Sequence, residues 1–355
     1  MLFQRNRQHK PDIALGLDLG SSQIKAAVVR RHQDKLELVE YAVRSLPTGL
    51  ASPGVLAKPY KEPEFTTELQ QLVNGLKTSE RHAFVTISCS SAMVCQAEFP
   101  PVPLAEIKSA LKLNSAGYLQ RDFSSYYLDV FELEKGSKDA KGKDSTKTKV
   151  LVGVANKEEV DACRNALVAA GIKPQVIELA AVSVISAFQV SHPEIKNEVV
   201  VLIDIGAHMT SINFLLDGMP LITRIMHFGG HQISEYIAQM LALQLHEAEE
   251  EKMKMTEPIQ GLVRAALSPL AREVRSSIDF FERQHEHHVV AAFACGGTAT
   301  SPHILKFLGA DVGLHIECWN PLATYDASHL NGDGTQLMTL APNLAAVIGV
   351  AVARL

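Results

Sequence analysis

The chain lacks several features that would define its class at once. Its five cysteines are an odd number without a C-x-x-C pair, which favours reduced thiols over a disulfide framework. No apolar run approaches about 18 residues, so no membrane-spanning helix is expected. The N-terminus has no apolar segment of the kind a signal peptide carries. The formal net charge of −5 argues against a nucleic-acid partner, which would need a basic surplus. A cytoplasmic globular protein is therefore predicted.

At 355 residues, 46% of them hydrophobic, the chain is long enough to bury cores in two domains. Apolar strands alternate with helical patterns along most of its length. Two polar segments interrupt this pattern, a basic start at 1–11 and the lysine-rich stretch "EKGSKDAKGKDSTKTK" at 134–149. Since neither can bury an apolar face, we expect a flexible tail and a mobile loop.

One short pattern occurs twice. "IALGLDLGSSQIKAAVV" at 13–29 and "VVVLIDIGAHMTSINFL" at 199–215 each place an Asp-x-Gly turn between two apolar strands. Asp18 corresponds to Asp204, and Gly20 to Gly206. A single turn of this kind is most often an ordinary hairpin turn. Two copies, each opening a domain-sized half, favour a clamp that binds one ligand from both sides.

The residues of these turns fit a phosphate ligand. Glycine allows close backbone approach, and exposed N–H groups in a turn form an anion-binding nest. Ser21, Ser22 and Thr210 add hydroxyl donors, and Lys25 adds a point charge suited to phosphate. The two aspartates would repel phosphate directly. They are expected instead to hold a hydrated Mg²⁺, which binds through few carboxylates and keeps its waters.

These motifs resemble those of the actin-like ATPase superfamily. The first phosphate motif is "GLDLGSSQIK", the second "LIDIGAHMTSI", and the adenosine motif is "FACGGTAT" at 293–300. Within the superfamily the chain is most similar to the PilM family of type IV pilus assembly proteins. The resemblance implies an α/β fold of two domains, each a mixed sheet flanked by helices, with a small inserted α+β subdomain.

Further segments carry the resemblance over about residues 13–355. They are "VIELAAVSVISAF" (176–188), "FGGHQIS" (228–234), "EAEEEK" (247–252), "EVRSSIDFF" (273–281) and "WNP" (319–321). The chain departs from the family at 117–122, where "GYLQRD" lacks the usual proline, and in the extended loop at 134–149. Both departures lie in the inserted subdomain.

The resemblance implies ATP and Mg²⁺ as cofactors and assigns a role to each motif residue. Phosphates would be bound by Gly20, Ser21, Ser22 and Lys25 on one side and by Gly206, Ala207 and Thr210 on the other. The nucleoside would be bound by Gly296, Gly297, Thr298, Glu249 and Lys252. Asp18 and Asp204 would hold Mg²⁺ through water.

Some residues allow two interpretations. Glu178 could orient the attacking water or could be an acid that complements a helix N-terminus. Lys252 could instead belong to a solvated helix face. His208 is expected to face solvent rather than to act in catalysis. His285, His287 and His288 form a cluster without a further ligand nearby, so no metal is expected there. Packing is the expected role of Trp319.

The resemblance also divides the chain. The predicted parts are a tail (1–11), the first domain (12–81), the inserted subdomain (82–170), a return to the first domain (171–195), the second domain (196–335) and a C-terminal helix in the first domain (336–355).

The implied function is an ATP-binding scaffold of type IV pilus assembly, at most a slow ATPase. It would bind the N-terminal tail of a PilN-like membrane partner in a groove between the first domain and residues 82–170. Through partners it would lie at the inner membrane and link its complex to motor ATPases. The resemblance is also compatible with self-association. Two alternatives stay open, a filament-forming cell-division protein resembling FtsA and a small-molecule kinase of the same fold.

Overall fold

A computed structural model describes residues 11–33, 35–47, 58–89, 91–138, 144–195, 198–285, 287–330 and 334–355. The strands, in chain order, are Ile13–Leu19 (β1), Gln23–His32 (β2), Lys35–Ser45 (β3), His82–Ile87 (β4), Met93–Phe99 (β5), Tyr126–Glu134 (β6), Ser137–Lys138 (β7), Asp144–Thr146 (β8), Thr148–Asn156 (β9), Lys173–Leu179 (β10), Val199–Ile205 (β11), Thr210–Leu216 (β12), Met219–Met226 (β13), Val289–Cys295 (β14), Ile316–Cys318 (β15) and Tyr325–Asp326 (β16).

The helices are Lys58–Lys61 (α1), Pro63–Gly75 (α2), Leu104–Leu113 (α3), Ser115–Leu119 (α4), Lys157–Ala169 (α5), Ala180–Ser191 (α6), Gly230–Leu241 (α7), Leu245–Lys254 (α8), Glu257–His285 (α9), Pro302–Val312 (α10), Gly334–Leu340 (α11) and Ala345–Val352 (α12). Two 3₁₀ turns lie at Thr298–Thr300 and Ala341–Leu344. None of these helices is long and apolar enough to cross a bilayer.

Two sheets repeat one topology. The first has the order β10-β4-β1-β2-β3-β16, and the second β13-β12-β11-β14-β15. In each, three antiparallel strands are followed by two strands parallel to the first of them. The sequence repeat is therefore a repeat of whole mixed sheets, as the fold prediction required.

The pairing moves three predicted boundaries. β4 pairs in parallel with β1, so His82–Ile87 belongs to the first domain and not to the inserted subdomain. α5 also buries its apolar face in the core of the first domain. β16 pairs with β3, so the chain has returned to the first sheet by Tyr325, before residue 336. These contacts join distant segments, and no local pattern indicates them.

The inserted subdomain is a three-stranded antiparallel sheet, β5-β9-β6, with α3 and α4. The segment predicted as a loop at 134–149 contains β7 and β8, which pair as a short ribbon. Residues 139–143 lie outside the described residues, as do 1–10 of the predicted tail. Short backbone pairing needs no apolar face, which is why composition did not indicate it.

Strand alternation separates the cores. Leu15, Leu17 and Leu19 point to a core of the first domain, whereas Ala14, on the opposite face, packs in an inner layer between the two sheets. α6 and α12 fill that inner layer. They touch closely, because a Cβ at Gly349 would clash with the carbonyl oxygen of Ser183.

Candidate functional site between the two hairpins

The hairpins β1–β2 and β11–β12 present matching turns, turn 1 at residues 20–23 and turn 2 at 206–209. Asp18 lies opposite Lys25 in the first hairpin, and Asp204 lies opposite Ser211 in the second. The alternation of side chains places Asp204 on the same strand face as Val200 and Leu202, which pack in the inner layer. Asp18 shares its face with Ala14 in the same way. Both carboxylates therefore belong to the faces that the two domains turn toward each other.

The two turns have the same close backbone approach. A Cβ at Gly20 would lie 2.8 Å from the carbonyl oxygen of Gln23, and one at Gly206 would lie 2.9 Å from that of Met209. In turn 2 the Gly206 N–H also donates to this carbonyl at 2.9 Å. The backbone of each turn therefore requires glycine at this position, whether or not a ligand is bound.

The charges at the turns are buried and coupled. Lys25 Nζ forms an ion pair of 2.8 Å with Asp18 Oδ2, and both side chains are buried. Burial raises the pKa of Asp204 to about 6, Lys25 opposes this increase, and repulsion from Asp18 adds to it. A cation between the two carboxylates would relieve the repulsion, so this pair fits the predicted Mg²⁺ site.

Turn 2 is held by the start of α7. The N–H groups of Gly230 and His231 donate to the carbonyls of Gly206 and Ala207 at 3.0 and 2.7 Å. A Cβ at Gly229 would lie 2.5 Å from the Gly206 oxygen. The glycines of "FGG" thus allow α7 to approach turn 2 closely enough for its first N–H groups to donate to the carbonyls of the turn. The N–H groups of Ala207 and the next residue are not used by this contact.

The hydroxyls predicted to bind the nucleotide differ in their surroundings. Thr210 Oγ1 donates to the carbonyl of Phe228 at 2.8 Å, and Thr298 Oγ1 donates to that of Gly206 at 2.9 Å. Both threonine hydroxyls are therefore engaged by the protein backbone. Ser22 is exposed on turn 1. Through Thr298 the adenosine motif is fastened directly to turn 2.

The glycine pair at 296–297 lies against the same turn. Gly296 has a φ of +91°, and its Cβ would clash with Asp204 Oδ1 and lie 2.5 Å from the Ile205 oxygen. A Cβ at Gly297 would lie 3.2 Å from Asn343 Oδ1. Contacts within the protein therefore require glycine at 296, whereas Gly297 is exposed and leaves its backbone accessible.

Lys252 is buried, with 8% of its surface exposed, and it is not on a solvated helix face. Its Nζ donates to the Gly230 oxygen at 2.9 Å, to Ser234 Oγ at 2.8 Å and to Glu249 Oε2 at 2.6 Å. Burial lowers its pKa, and Glu249 opposes that effect. This network joins α7 and α8 directly behind turn 2.

Glu178 is 2% exposed, and both of its carboxylate oxygens have partners. Ser183 Oγ donates to Oε1 at 2.7 Å, and Arg354 donates to Oε2 at 2.8 Å. Burial raises its pKa, and Arg354 opposes the increase. The structure thus places Glu178 in a buried ion pair at the end of β10, and its role with water stays a prediction.

His208 does not face solvent as expected. It is half-buried, and its Nδ1 lies 2.9 Å from Ser21 Oγ of turn 1. Its ring lies 4.4 Å from that of His231, centroid to centroid. Burial and His231 lower its pKa to about 4, so the ring is neutral at pH 7. The tips of the two turns are therefore joined by one hydrogen bond.

A contact between turn 1 and the C-terminal part of the first domain was not predicted. Asn343 Nδ2 donates to Gln23 Oε1 at 2.9 Å. Asn343 belongs to the 3₁₀ turn before α12, and Gln23 to turn 1. Gln23 lies in the first phosphate motif without an assigned role, and Asn343 lies in none of the quoted motifs, so only the three-dimensional contact reveals the pair.

A narrow cleft between the domains is lined by two of the predicted residues, Asp204 and Thr210. Its walls are formed by Ile87, Ser88, Cys89, Ala92, Leu179, Ala180, Ala181, Asp204, Met209, Thr210, Ser211 and Ile225. The first turn of α6 thus borders the cleft, and it has no side-chain cap among the described residues. Uncapped helix N–H groups favour an anion, which agrees with a phosphate site.

Trp319 and the three histidines at 285–288 are the remaining residues that the sequence singled out. Trp319 is 1% exposed and packs edge-to-face on Phe188, which confirms its packing role. His287 and His288 are exposed, and the side chain of His285 is outside the described set. Within the part of the chain that is described, no group of three ligating side chains could hold a metal ion.

Two mixed sheets of one topology, facing each other through matched turns, define the class as proteins of the actin-like ATPase fold. The chain matches the family model described as "Type IV pilus assembly protein PilM" over residues 16–355. It therefore belongs to the PilM family.

Solved structures agree with this assignment. The "PilM-PilN type IV pilus biogenesis complex" matches with a TM-score of 0.83 and 25% identity, covering 97% of this chain and 99% of that one. The ethanolamine utilization protein EutJ from Carboxydothermus hydrogenoformans gives 0.56 at 16% identity, with 98% and 91% covered. MreB 5 of Spiroplasma citri, bound to AMPPNP, gives 0.50 at 11%, with 96% and 95% covered. The last two show the fold alone.

Proposed function

We propose that this chain is an ATP-binding scaffold of type IV pilus assembly that binds the N-terminal cytoplasmic tail of a PilN-like membrane partner. The observation that carries this proposal is the similarity to the PilM-PilN complex, which spans nearly the whole of both chains. Through this tail the protein would lie at the inner membrane and link the membrane complex to the motor ATPases.

The cleft supports nucleotide binding. Lys25 and the backbone of the two turns would bind the phosphates, and the residues around Gly296 and Lys252 would bind the nucleoside. Asp18 and Asp204 would hold Mg²⁺ through its waters. The metal would neutralise phosphate charge when bound. Glu178 is fixed in its ion pair with Arg354, which favours slow hydrolysis at most.

Nucleotide content tests the cleft. Protein purified with Mg²⁺ is denatured, and the released ATP and ADP are quantified by chromatography. We expect bound nucleotide in wild type and in Asp279→Ala, an exposed acid on α9, but much less in Asp204→Ala. Equal occupancy in all three proteins would contradict the proposed metal and phosphate site.

The docking groove is proposed at the junction of the inserted subdomain and the first domain. Tyr127 on β6 is 44% exposed, and its hydroxyl donates to Asp161 on α5, which packs in the first domain. An extended peptide can bind such a junction through an aromatic side chain and a sheet edge. Leu113 on α3 is 88% exposed within the same subdomain and serves as a matched control.

Peptide binding is measured by fluorescence anisotropy with a labelled PilN N-terminal peptide in the presence of Mg-ATP. Tyr127→Ala should weaken binding by about tenfold, since aromatic anchors at interfaces commonly contribute more than 1 kcal/mol. Leu113→Ala should bind as wild type does. Failure of the wild-type protein to bind the peptide would refute the scaffold proposal.

A further inference from the structure

Among the described hydrogen bonds, His208 forms the one side-chain hydrogen bond that joins turn 2 to turn 1. It occupies the position in turn 2 that Ser22 occupies in turn 1. Its Nδ1 is 2.9 Å from Ser21 Oγ. The space between the two turns is therefore closed, at its outer end, by an imidazole and a hydroxyl, which both bind phosphate oxygens well.

The other ring nitrogen of His208 has no use within the protein. Its Nε2 is buried and has no hydrogen-bond partner in the part of the chain that is described. A neutral imidazole has one donor and one acceptor nitrogen, so either proton position leaves Nε2 unsatisfied. A buried unpaired polar atom is unfavourable for folding. Since His208 lies beside Ser21 of turn 1, a ligand held between the two turns would supply the missing partner.

The groups facing His208 do not compete for that role. The ring of His231 on α7 lies beside that of His208 at a tilt of 34°, and its Nε2 lies 3.3 Å from Glu235 Oε1. Lys25 and Asp18, on the first hairpin, are paired with each other.

The nucleoside motifs show which part of a nucleotide would reach this point. Thr298 contacts turn 2 at its first residue, Gly206. Lys252 of the α7–α8 network contacts Gly230 of α7, whose N–H donates to the Gly206 carbonyl. His208 lies two residues further on, at the tip. A chain of phosphates that starts near Gly206 and passes between the turns reaches His208 and Ser21 with its outermost group.

We propose that His208 binds the terminal phosphate of a nucleoside triphosphate and makes the cleft prefer triphosphate over diphosphate. The inference rests on the proposed nucleotide binding and adds to it a residue for discrimination. In this arrangement the phosphate accepts a hydrogen bond from the imidazole, and the diphosphate leaves that donor unpaired. The alternative is that His208 only fastens the two domains together through Ser21.

Three substitutions at one position separate these roles. His208→Ala removes both ring nitrogens. His208→Asn keeps a polar atom near the Nδ1 position, which faces Ser21, but has nothing at the Nε2 position. His208→Gln extends an amide toward the Nε2 position. His227→Ala removes an exposed histidine at the end of β13 and is the matched control.

Isothermal titration calorimetry with AMPPNP and with ADP, each with Mg²⁺, gives the affinity ratio of every protein. We expect Ala and Asn at 208 to lower AMPPNP affinity about tenfold or more while ADP affinity changes less than about threefold, because a hydrogen bond to a charged group is lost. Gln at 208 and the His227 variant should keep the wild-type ratio. Thermal denaturation confirms that each variant is folded.

Two results would overturn the inference. An unchanged ratio in His208→Ala and His208→Asn would show that the ring does not contact the terminal phosphate. Equal weakening of both ligands would show a fastening role only. If the wild-type protein bound neither nucleotide, the proposed function itself would fall, and the inference with it. The wild-type titrations therefore distinguish failure of one from failure of the other.

Discussion

Replacing Asp204 with asparagine should stabilise the protein while abolishing its use of Mg²⁺. The carboxylate is buried, repelled by Asp18 and only partly compensated by Lys25. Asparagine has nearly the same shape and no charge. The substitution thus removes an unfavourable buried charge without opening a cavity.

The size of the effect follows from the pKa. Burial raises it from 3.8 to about 6, and one pH unit corresponds to about 1.4 kcal/mol. The folded state holds this proton more tightly than the unfolded state. The protonated Asp204 side chain therefore favours the folded state at low pH, and this contribution to the free energy of unfolding is lost as the pH rises from about 4 to 6. Above pH 6 the ionised side chain lowers the free energy of unfolding by about 3 kcal/mol.

Urea denaturation of wild type and Asp204→Asn, between pH 4 and pH 8 without nucleotide, measures this difference. The two unfolding free energies should nearly coincide at pH 4 and separate in favour of the variant up to about pH 7. Since all other groups are shared, the difference isolates Asp204. Excess Mg-ATP should stabilise wild type only. A variant that is no more stable than wild type at pH 8 would refute the reasoning.

Four further substitutions test the surrounding structure. Gly296→Ala should lower the free energy of unfolding by about 2–4 kcal/mol, since its backbone has a positive φ and its neighbours leave no space. Gly261→Ala, in an open position of α9, should instead stabilise by up to about 1 kcal/mol, and chemical denaturation of the two variants compares them. Arg354→Met should cost about 3 kcal/mol by leaving Glu178 buried and unpaired, and a melt with no change would contradict this. Lys252→Met should weaken ATP binding about tenfold, measured by titration calorimetry, and should lower the free energy of unfolding by about 1–3 kcal/mol because its buried acceptors lose their donor; unchanged affinity would remove this lysine from the site.

The hairpins and the fold could be predicted from the sequence because their signals are local. An apolar strand, Asp-x-Gly and a second apolar strand specify the turn, and strand alternation assigns Asp18 and Asp204 to one face. The repeat then implies two equivalent domains, which the sheet topology confirms.

Other features depend on contacts between distant segments. β4 joins the first sheet through a parallel pairing that leaves no turn signal in the sequence. The sequence around Lys252 is typical of a solvated helix because most of its residues are charged. Nothing in this local pattern indicates that the Lys252 side chain is buried. The ion pair between Glu178 and Arg354 joins residues that are 176 positions apart in the sequence. Such pairs follow from the completed fold and not from any short pattern.

The packing of α12 in the inner layer has a consequence for biogenesis. Gly16 on β1 has so little space because the Val347 carbonyl of α12 lies against it. On the ribosome β1 is made long before α12, so its inner face stays uncovered until that helix has been synthesised. The nascent first domain therefore exposes an apolar face until α12 emerges, and its folding depends on slow long-range closure.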